Sequence, residues 1–186
     1  MTLYHLKIVA IAILLIAGLF NAGQASYLTV KAQLSQILLD SAWELTIVTG
    51  ERVRPWPWAD IQPAAKLTLP RFHYSQIVLA THSSESMAFG PGLIEFDNSV
   101  VLAGHRDSHF AILEHVKLTD EIVLYPEDGS EILAVVVAKQ IVDIAKQSSI
   151  VPPDNSLLLI TCYPFNTIKA GGPLRLVITA DKKMPG

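Results

Sequence analysis

From Ala64 to Ala180 the chain is a succession of short apolar runs broken by turn residues, and this spacing limits the possible folds more than any other feature. "AKLTLPR" alternates apolar and polar residues, "QIVLA" and "NSVVLAG" are short buried runs, "DEIVLY" and "EILAVVVAKQIVDI" flank the turn "PEDGS", and "SLLLITC" and "PLRLVITA" close the series. Period-two alternation and short β-branched runs bounded by Gly, Pro, Asp and Ser read as strands. Seven or eight strands at such close spacing predict a mainly β domain built as a closed or nearly closed β-barrel, a closed eight-stranded β-barrel at the upper count, because closure removes the open edges that many short strands would otherwise leave. Short helical insertions fit around "SSESMAF" and "HFAILEHV". The last two strands are apolar on both faces, as buried strands are.

Ahead of this domain, Ile8 to Val30 contains no charged residue. At roughly 1.5 Å per residue that run is long enough for a hydrocarbon core of about 30 Å, which predicts an N-terminal membrane-anchoring helix. Gly23 and Ala25 are the small residues that a cleavable signal peptide needs, so that alternative stays open. Val30, Leu34, Ile37, Leu38, Leu45 and Val48 recur at helical spacing, which predicts that the helix continues as a stalk until Gly50 ends it. Lys7 then marks the inner side, and the rest of the chain lies outside the cytoplasm. "RPWPWADIQP", rich in proline, reads as an extended connector whose tryptophans cover an apolar surface of the domain. The expected organisation is residues 1–50 as anchor and stalk, 51–63 as linker and 64–182 as the β-barrel domain.

Fourteen Lys and Arg against seventeen Asp and Glu give a formal net charge of −3, and no basic patch argues for nucleic acid. The chain has one cysteine. An exported domain with a single cysteine makes no intramolecular disulfide, so the thiol is an intermolecular bridge, an inert core group or a reactive one.

Its neighbours narrow that choice. Cys162 ends "LLLITC" and Arg175 opens "RLVITA", so if the two strands pair through the loop "YPFNTIKAGGP" the residues lie side by side at one rim. Alternation puts Cys162 on the face of Leu158 and Ile160, Arg175 on the face of Val177 and Thr179, and Thr161 on the opposite face from Cys162. An arginine in such apolar surroundings is costly to leave unpaired and points to an anionic or developing negative partner. In "SVVLAGHRDSHF" a buried strand runs into Gly104 and His105. A histidine can stabilise a thiolate and carry protons, and an arginine can hold a carbonyl oxygen as it gains charge.

With these residues in view the chain resembles the sortase family, and within it the class GN sortases of Gram-negative bacteria. The resemblance is carried by "VLAGHRDSHF" around the histidine, "LLLITCYPF" with threonine before the cysteine, and "GGPLRLVITA" around the arginine, with "RPWPWAD" and "AFGPG" similar to the subgroup. It implies a sortase β-barrel and a cysteine transpeptidase. Cys162 would be the nucleophile, His105 the general acid and base, and Arg175 the stabiliser of oxyanion and substrate, with Thr161, Gly104 and Asp107 in support. The implied substrate is an exported protein bearing a C-terminal sorting signal similar to Leu-Pro-x-Thr-Gly, transferred to an amine, with no cofactor and no metal. The implied location is the inner membrane, spanned once, with the domain facing the periplasm. Two departures stand out: "LIEFD", before the histidine strand, is shorter and less glycine-rich than the usual connection, and Thr119 and Asp120 stand where many members carry Gly-Asp.

Two other readings compete. His105, Asp107, His109 and His115 crowd one segment in the manner of a metal-dependent hydrolase, but no H-E-x-x-H motif is present. Asp107 can equally orient a side chain or cap a helix near Ser108. A membrane-tethered, non-catalytic β-domain that binds a protein partner would keep the thiol as core filling. The kinase-like "HRD" is chance, since the chain has no phosphate-binding glycine loop.

Overall fold

The computed structural model describes residues 3–83, 85–146, 149–167 and 171–183, so Ser84 of "SSESMAF" and 168–170 of the loop after Cys162 lie outside the described residues. Two compact units are present, Met1–Ile37 and Leu38–Gly186. One helix, α1 (Leu3–Thr49), runs through the first unit and ends in the second. Gly50 closes it in the left-handed region, at φ 71°, with its N–H on the Thr46 carbonyl, as glycine is suited to do. Among the described residues no helical stretch is long and apolar enough to cross a membrane.

The second unit is a closed barrel of eight strands. These are β1 (Pro63–Leu69), β2 (Tyr74–Leu79), β3 (Gly92–Phe96), β4 (Ser99–Ala103), β5 (Glu121–Pro126), β6 (Ile132–Asp143), β7 (Ser156–Cys162) and β8 (Leu174–Lys182). Around the barrel they stand in the order β1, β2, β3, β4, β7, β8, β6, β5. The pairs β4/β7 and β2/β3 are parallel and the others antiparallel. The helical insertions are 3-10 turns at Ser86–Ala88 and Ala111–His115, with a third at Pro70–Phe72.

The segment read as a shortened connection is strand β3. Its register against β4, Phe96 with Ser99 and Gly92 with Ala103, leaves Asp97 and Asn98 as a tight turn. Five residues with one acid among them carry too little periodicity to be read as a strand alone, and it is the ladder to β4 that keeps them extended. Gly92 is required there: a Cβ would lie 2.6 Å from the His82 Cα and 2.7 Å from the Thr81 carbonyl oxygen.

Alternate residues fill the barrel. Leu67 and Leu69, Ile122 and Leu124, Leu157 and Leu159, and Leu176 and Ile178 converge on Phe110 and Leu113 of the segment after β4. The other face of β4, β7 and β8 is apolar too: Val101, Leu158 and Val177 are buried beneath Ile94, Val142, Ile150 and Ile160.

The end of α1 packs on the barrel. Leu39, Ala42, Trp43 and Thr46 are buried, whereas Leu45 and Val48 are exposed. Leu39 and Trp43 join Ala59, Ile61, Ile77 and Leu79 in one cluster. Four residues at i, i+3, i+4 and i+7 make this stripe, and Ala42 allows the close approach that the more hydrophobic stripe would prevent. The proline-rich segment also belongs to this cluster: Trp56 packs edge-on against Phe89 at 5.5 Å between ring centroids. Trp58 covers nothing and is 80% exposed.

Candidate active site

The rim of the barrel at the ends of β4, β7 and β8 brings the three singled-out residues into register. Cys162 stands directly opposite Arg175 in the β7/β8 ladder. On the other side of β7, Ala103 pairs with Ile160, and the Gly104 N–H continues the ladder onto the Ile160 carbonyl at 3.1 Å. β4 ends at Ala103, so His105, two residues on, emerges at the rim where β7 ends in Cys162. Paired residues on adjacent strands project to the same side. Cys162 and Arg175 therefore share the outer face that carries Leu158 and Val177, and the exposed His105 completes the row at the rim from two residues past the end of β4.

The row is the open side of the rim. Cys162 is a half-buried free thiol, and His105 is exposed. Arg175 is half-buried, and its Nη1 donates to the carbonyls of Gly172 at 2.7 Å and Leu174 at 2.9 Å. Within the chain, Arg175 Nη1 is held by two backbone carbonyls close to it in sequence. Backbone carbonyls satisfy a guanidinium without neutralising it.

The neighbouring residues project inward. Thr161 is 2% exposed and donates its hydroxyl to the Gly104 carbonyl at 2.7 Å. Gly104 lies against Phe110, where a Cβ would come within 2.9 Å of the ring. Asp107 accepts from Arg106 Nε at 3.2 Å, so it orients a side chain. It caps no helix: the 3-10 turn begins at Ala111, with Phe110 at its cap and no side-chain hydrogen bond there.

Arg106 was passed over in the sequence, and His109 was singled out there only for the metal-hydrolase reading. Arg106 is buried beneath the rim, and the available signal was alternation, which sends the residue after an outward His105 back toward the core. His109 is half-buried, with Nε2 3.3 Å from the Ala88 carbonyl oxygen. Burial lowers its pKa below the ordinary histidine value; the Ala88 carbonyl works against this, and charge on His105 adds to the lowering. His109 is therefore neutral at neutral pH. The Tyr74 hydroxyl, its pKa pushed up to about 12 by burial, donates to the His109 backbone carbonyl and ties this segment to β2.

Among the described residues no group of three or more His, Cys, Asp or Glu side chains is placed to hold a metal ion. A cavity of about 330 Å³ lies at the far end of the barrel, between Arg52, Glu95, Asp97, Glu127 and Asp128, and shares no residue with the rim. A half-buried thiol beside a histidine and an arginine can carry out nucleophilic acyl transfer: attack, proton delivery and oxyanion stabilisation each have a group of the right chemistry.

The sortase domain model matches residues 67–183. Solved structures with this fold include sortase C-1 from Actinomyces oris, at 22% identity and TM-score 0.54 over 68% of this chain and 77% of that one. A lid mutant of sortase A from Corynebacterium diphtheriae aligns at 18% identity and TM-score 0.56 over 83% of this chain and 96% of that one. Sortase C from Clostridium perfringens SM101 aligns at 16% identity and TM-score 0.53 over 88% and 99%. No curated protein sequence matches the chain. Neither the metal-hydrolase nor the non-catalytic reading is favoured by these matches. With the domain model spanning well over half of the residues and the barrel matching sortases of types A and C, the chain belongs to the sortase family of cysteine transpeptidases.

Proposed function

We propose that Cys162, His105 and Arg175 are the catalytic residues of this transpeptidase, acting on the C-terminal sorting signal of an exported protein. The observation that carries the proposal is the pairing of Cys162 with Arg175 at the end of β7, at the rim to which the neighbouring parallel strand β4 delivers His105. The half-buried Ile94, Val142, Ile150 and Ile160, which cover the outer face of the same strands, give that side an apolar surface that suits an extended peptide with apolar residues ahead of its scissile bond.

The Cys162 sulfur attacks the scissile carbonyl carbon, whose oxygen becomes the oxyanion. Arg175 Nη1 is held by two carbonyls, which fixes the guanidinium plane and leaves Nε and Nη2 to receive that oxyanion. Protonated His105 gives its proton to the leaving amine as the C–N bond breaks, and a thioester remains on Cys162. The acceptor amine then attacks the thioester carbonyl, His105 removes its proton, and the Cys162 thiolate leaves. Splitting the reaction through an acyl-enzyme replaces one difficult step by two easier ones.

The sorting signal is of the Leu-Pro-x-Thr-Gly kind and the acceptor is an amine. The membership in class GN is supported by the contact of its two characteristic segments, Trp56 of "RPWPWAD" on Phe89 of "AFGPG". The organisation as 1–50 anchor and stalk, 51–63 linker and 64–182 catalytic domain, held in the inner membrane by one helix and facing the periplasm, is supported by the charge-free run from Ile8 to Val30.

The test is intact-mass spectrometry of the full chain in detergent micelles with sorting-signal peptides, with and without hydroxylamine. The expected result is a peptide acyl adduct on Cys162, absent in Cys162→Ala and released as peptide hydroxamate. No adduct with any peptide, although a small alkylating reagent labels Cys162 rapidly, would refute the substrate class; an inert thiol would refute the catalytic assignment. For the anchor, the chain should stay with inner membranes after an alkaline carbonate wash, and its release would remove that part of the proposal.

A further inference from the structure

The outer face of the rim carries the reactive row, and the inner face carries a charge that those steps do not use. Arg106 directly follows His105, yet it is 4% exposed. Its Nη1 donates to the Pro164 carbonyl at 2.8 Å, its Nη2 to the Thr167 carbonyl at 3.3 Å and its Nε to Asp107 Oδ1 at 3.2 Å. A buried guanidinium persists only when paired and hydrogen-bonded. Here the fork grips two carbonyls of one loop, the loop that leaves Cys162.

The other side of His105 is fastened to the same strand. Gly104 donates its N–H to the Ile160 carbonyl at 3.1 Å, and its own carbonyl accepts the Thr161 hydroxyl at 2.7 Å. The His105 carbonyl accepts the Phe110 N–H at 3.0 Å. The residue before His105 is thus bonded to the two residues before Cys162, and the residue after His105 is bonded to the chain just after Cys162. His105 and Cys162 are bracketed together from the core side.

We propose that Arg106 is a positioning residue for transpeptidation: its bonds to Pro164 and Thr167, with that of Thr161 to Gly104, hold His105 at proton-transfer distance from a peptide attached to Cys162. This rests on the roles of His105 and Cys162 given above. A general acid has to come within hydrogen-bond reach of the leaving amine, and a displacement of about 1 Å can cost on the order of 100-fold in rate. Thr161 fixes the bracket on one side only, and without Arg106 the segment after His105 and the loop after Cys162 move independently. Lysine at this position keeps the charge but offers a compact point donor in place of a fork that spans two carbonyls.

The bracket acts on proton delivery and leaves the thiol in place, so two reactions of Cys162 should separate. Acylation by a sorting-signal peptide needs a proton on the leaving amine; alkylation by iodoacetamide needs only the thiolate. In the full chain in detergent, Arg106→Gln is expected to slow acylation at least tenfold, through kcat with KM within threefold, while alkylation changes less than threefold. Arg106→Lys should show the same separation, and it carries the test if Arg106→Gln does not fold. Asp107→Asn, which loosens only the Nε contact, should slow acylation by a few-fold. Acylation that falls no more than alkylation, or full activity in Arg106→Lys, would overturn the positioning role. Failure of the wild-type chain to form any acyl adduct would instead count against the catalytic assignment on which the inference rests.

Discussion

The two faces of the rim differ in how far their polar groups are satisfied. On the inner face, the Thr161 hydroxyl, the Gly104 carbonyl and the Arg106 guanidinium all have hydrogen-bond partners, and the groups are buried. On the outer face, one residue away along the same strands, His105 is exposed and Cys162 is a free, half-buried thiol. Buried polar groups cost free energy unless they are paired, whereas groups meant to react need unused valence and access. The pleat of a β-strand lets consecutive residues meet these opposite demands, so a rigid face can hold a reactive one.

The sharpest way to break this comparison is to remove reactivity and keep the frame. Cys162→Ala should abolish acyl transfer, at least a 1000-fold loss on the scale of losing a nucleophile, with thermal stability nearly unchanged. His105→Ala should behave in the same way. A large loss of stability in either would mean that the outer face also holds the barrel together.

The reverse change targets the inner face. Gly104→Ala would push a Cβ to within 2.9 Å of the buried Phe110 ring. Overpacking of this kind costs about 1–3 kcal/mol, and because His105 is the next residue, activity should fall with stability. Thr161→Val keeps the shape but strands the buried Gly104 carbonyl, at a cost of about 1–3 kcal/mol. Denaturant melts and peptide turnover on the same samples check both; activity lost without stability from Thr161→Val would mean that the hydroxyl serves the chemistry directly.

A pH series sharpens the contrast between the two histidines. The pKa of His109 is lowered first by burial, against the pull of the Ala88 carbonyl. The unfolded chain therefore binds that proton more readily than the folded one, so the stability from neutral His109 is present above the ordinary value of about 6.5 and is lost as pH falls below it. His109→Gln should flatten the fall in melting temperature between about pH 6.5 and pH 5. An unchanged slope would assign the effect to other groups.

The smallest effect lies away from the rim and serves as a control. Thr119 occupies the left-handed region at φ 70°, a conformation that favours glycine. Thr119→Gly relieves a strain of about 1 kcal/mol or more, partly offset by glycine's greater freedom when unfolded, and should raise stability slightly with no change in turnover. A change in turnover would show that the turn before β5 communicates with the rim.

Much of the site was legible in the sequence because alternation is strict. Once β7 and β8 are neighbours, Cys162 at the end of one and Arg175 at the start of the next must meet, and "SVVLAGH" delivers a histidine from a third strand. Arg106 was passed over although the same alternation turns it inward, because a charged residue next to an exposed histidine looks like surface. The eighth strand, Gly92–Phe96, was missed because its extended shape comes from pairing with β4. The face by which α1 packs on the barrel was not read from the sequence: Leu45 and Val48 of the apolar series stay exposed, while the partner surface accepts Leu39, Ala42 and Trp43.

The sequence by itself determined the closed β architecture, the neighbouring strands and the kinds of side chain at the rim, since these follow from local periodicity and from residues that only certain chemistry uses. Tertiary structure alone decided the parallel pairing of β4 with β7, the turn of Arg175 onto the Gly172 and Leu174 carbonyls, and the grip of Arg106 on Pro164 and Thr167. The β4/β7 pairing and the Arg106 contacts join residues far apart in the chain, and the Arg175 contacts depend on how its own loop is folded back. What fixes them is the satisfaction of buried polar groups in three dimensions, which no local pattern encodes.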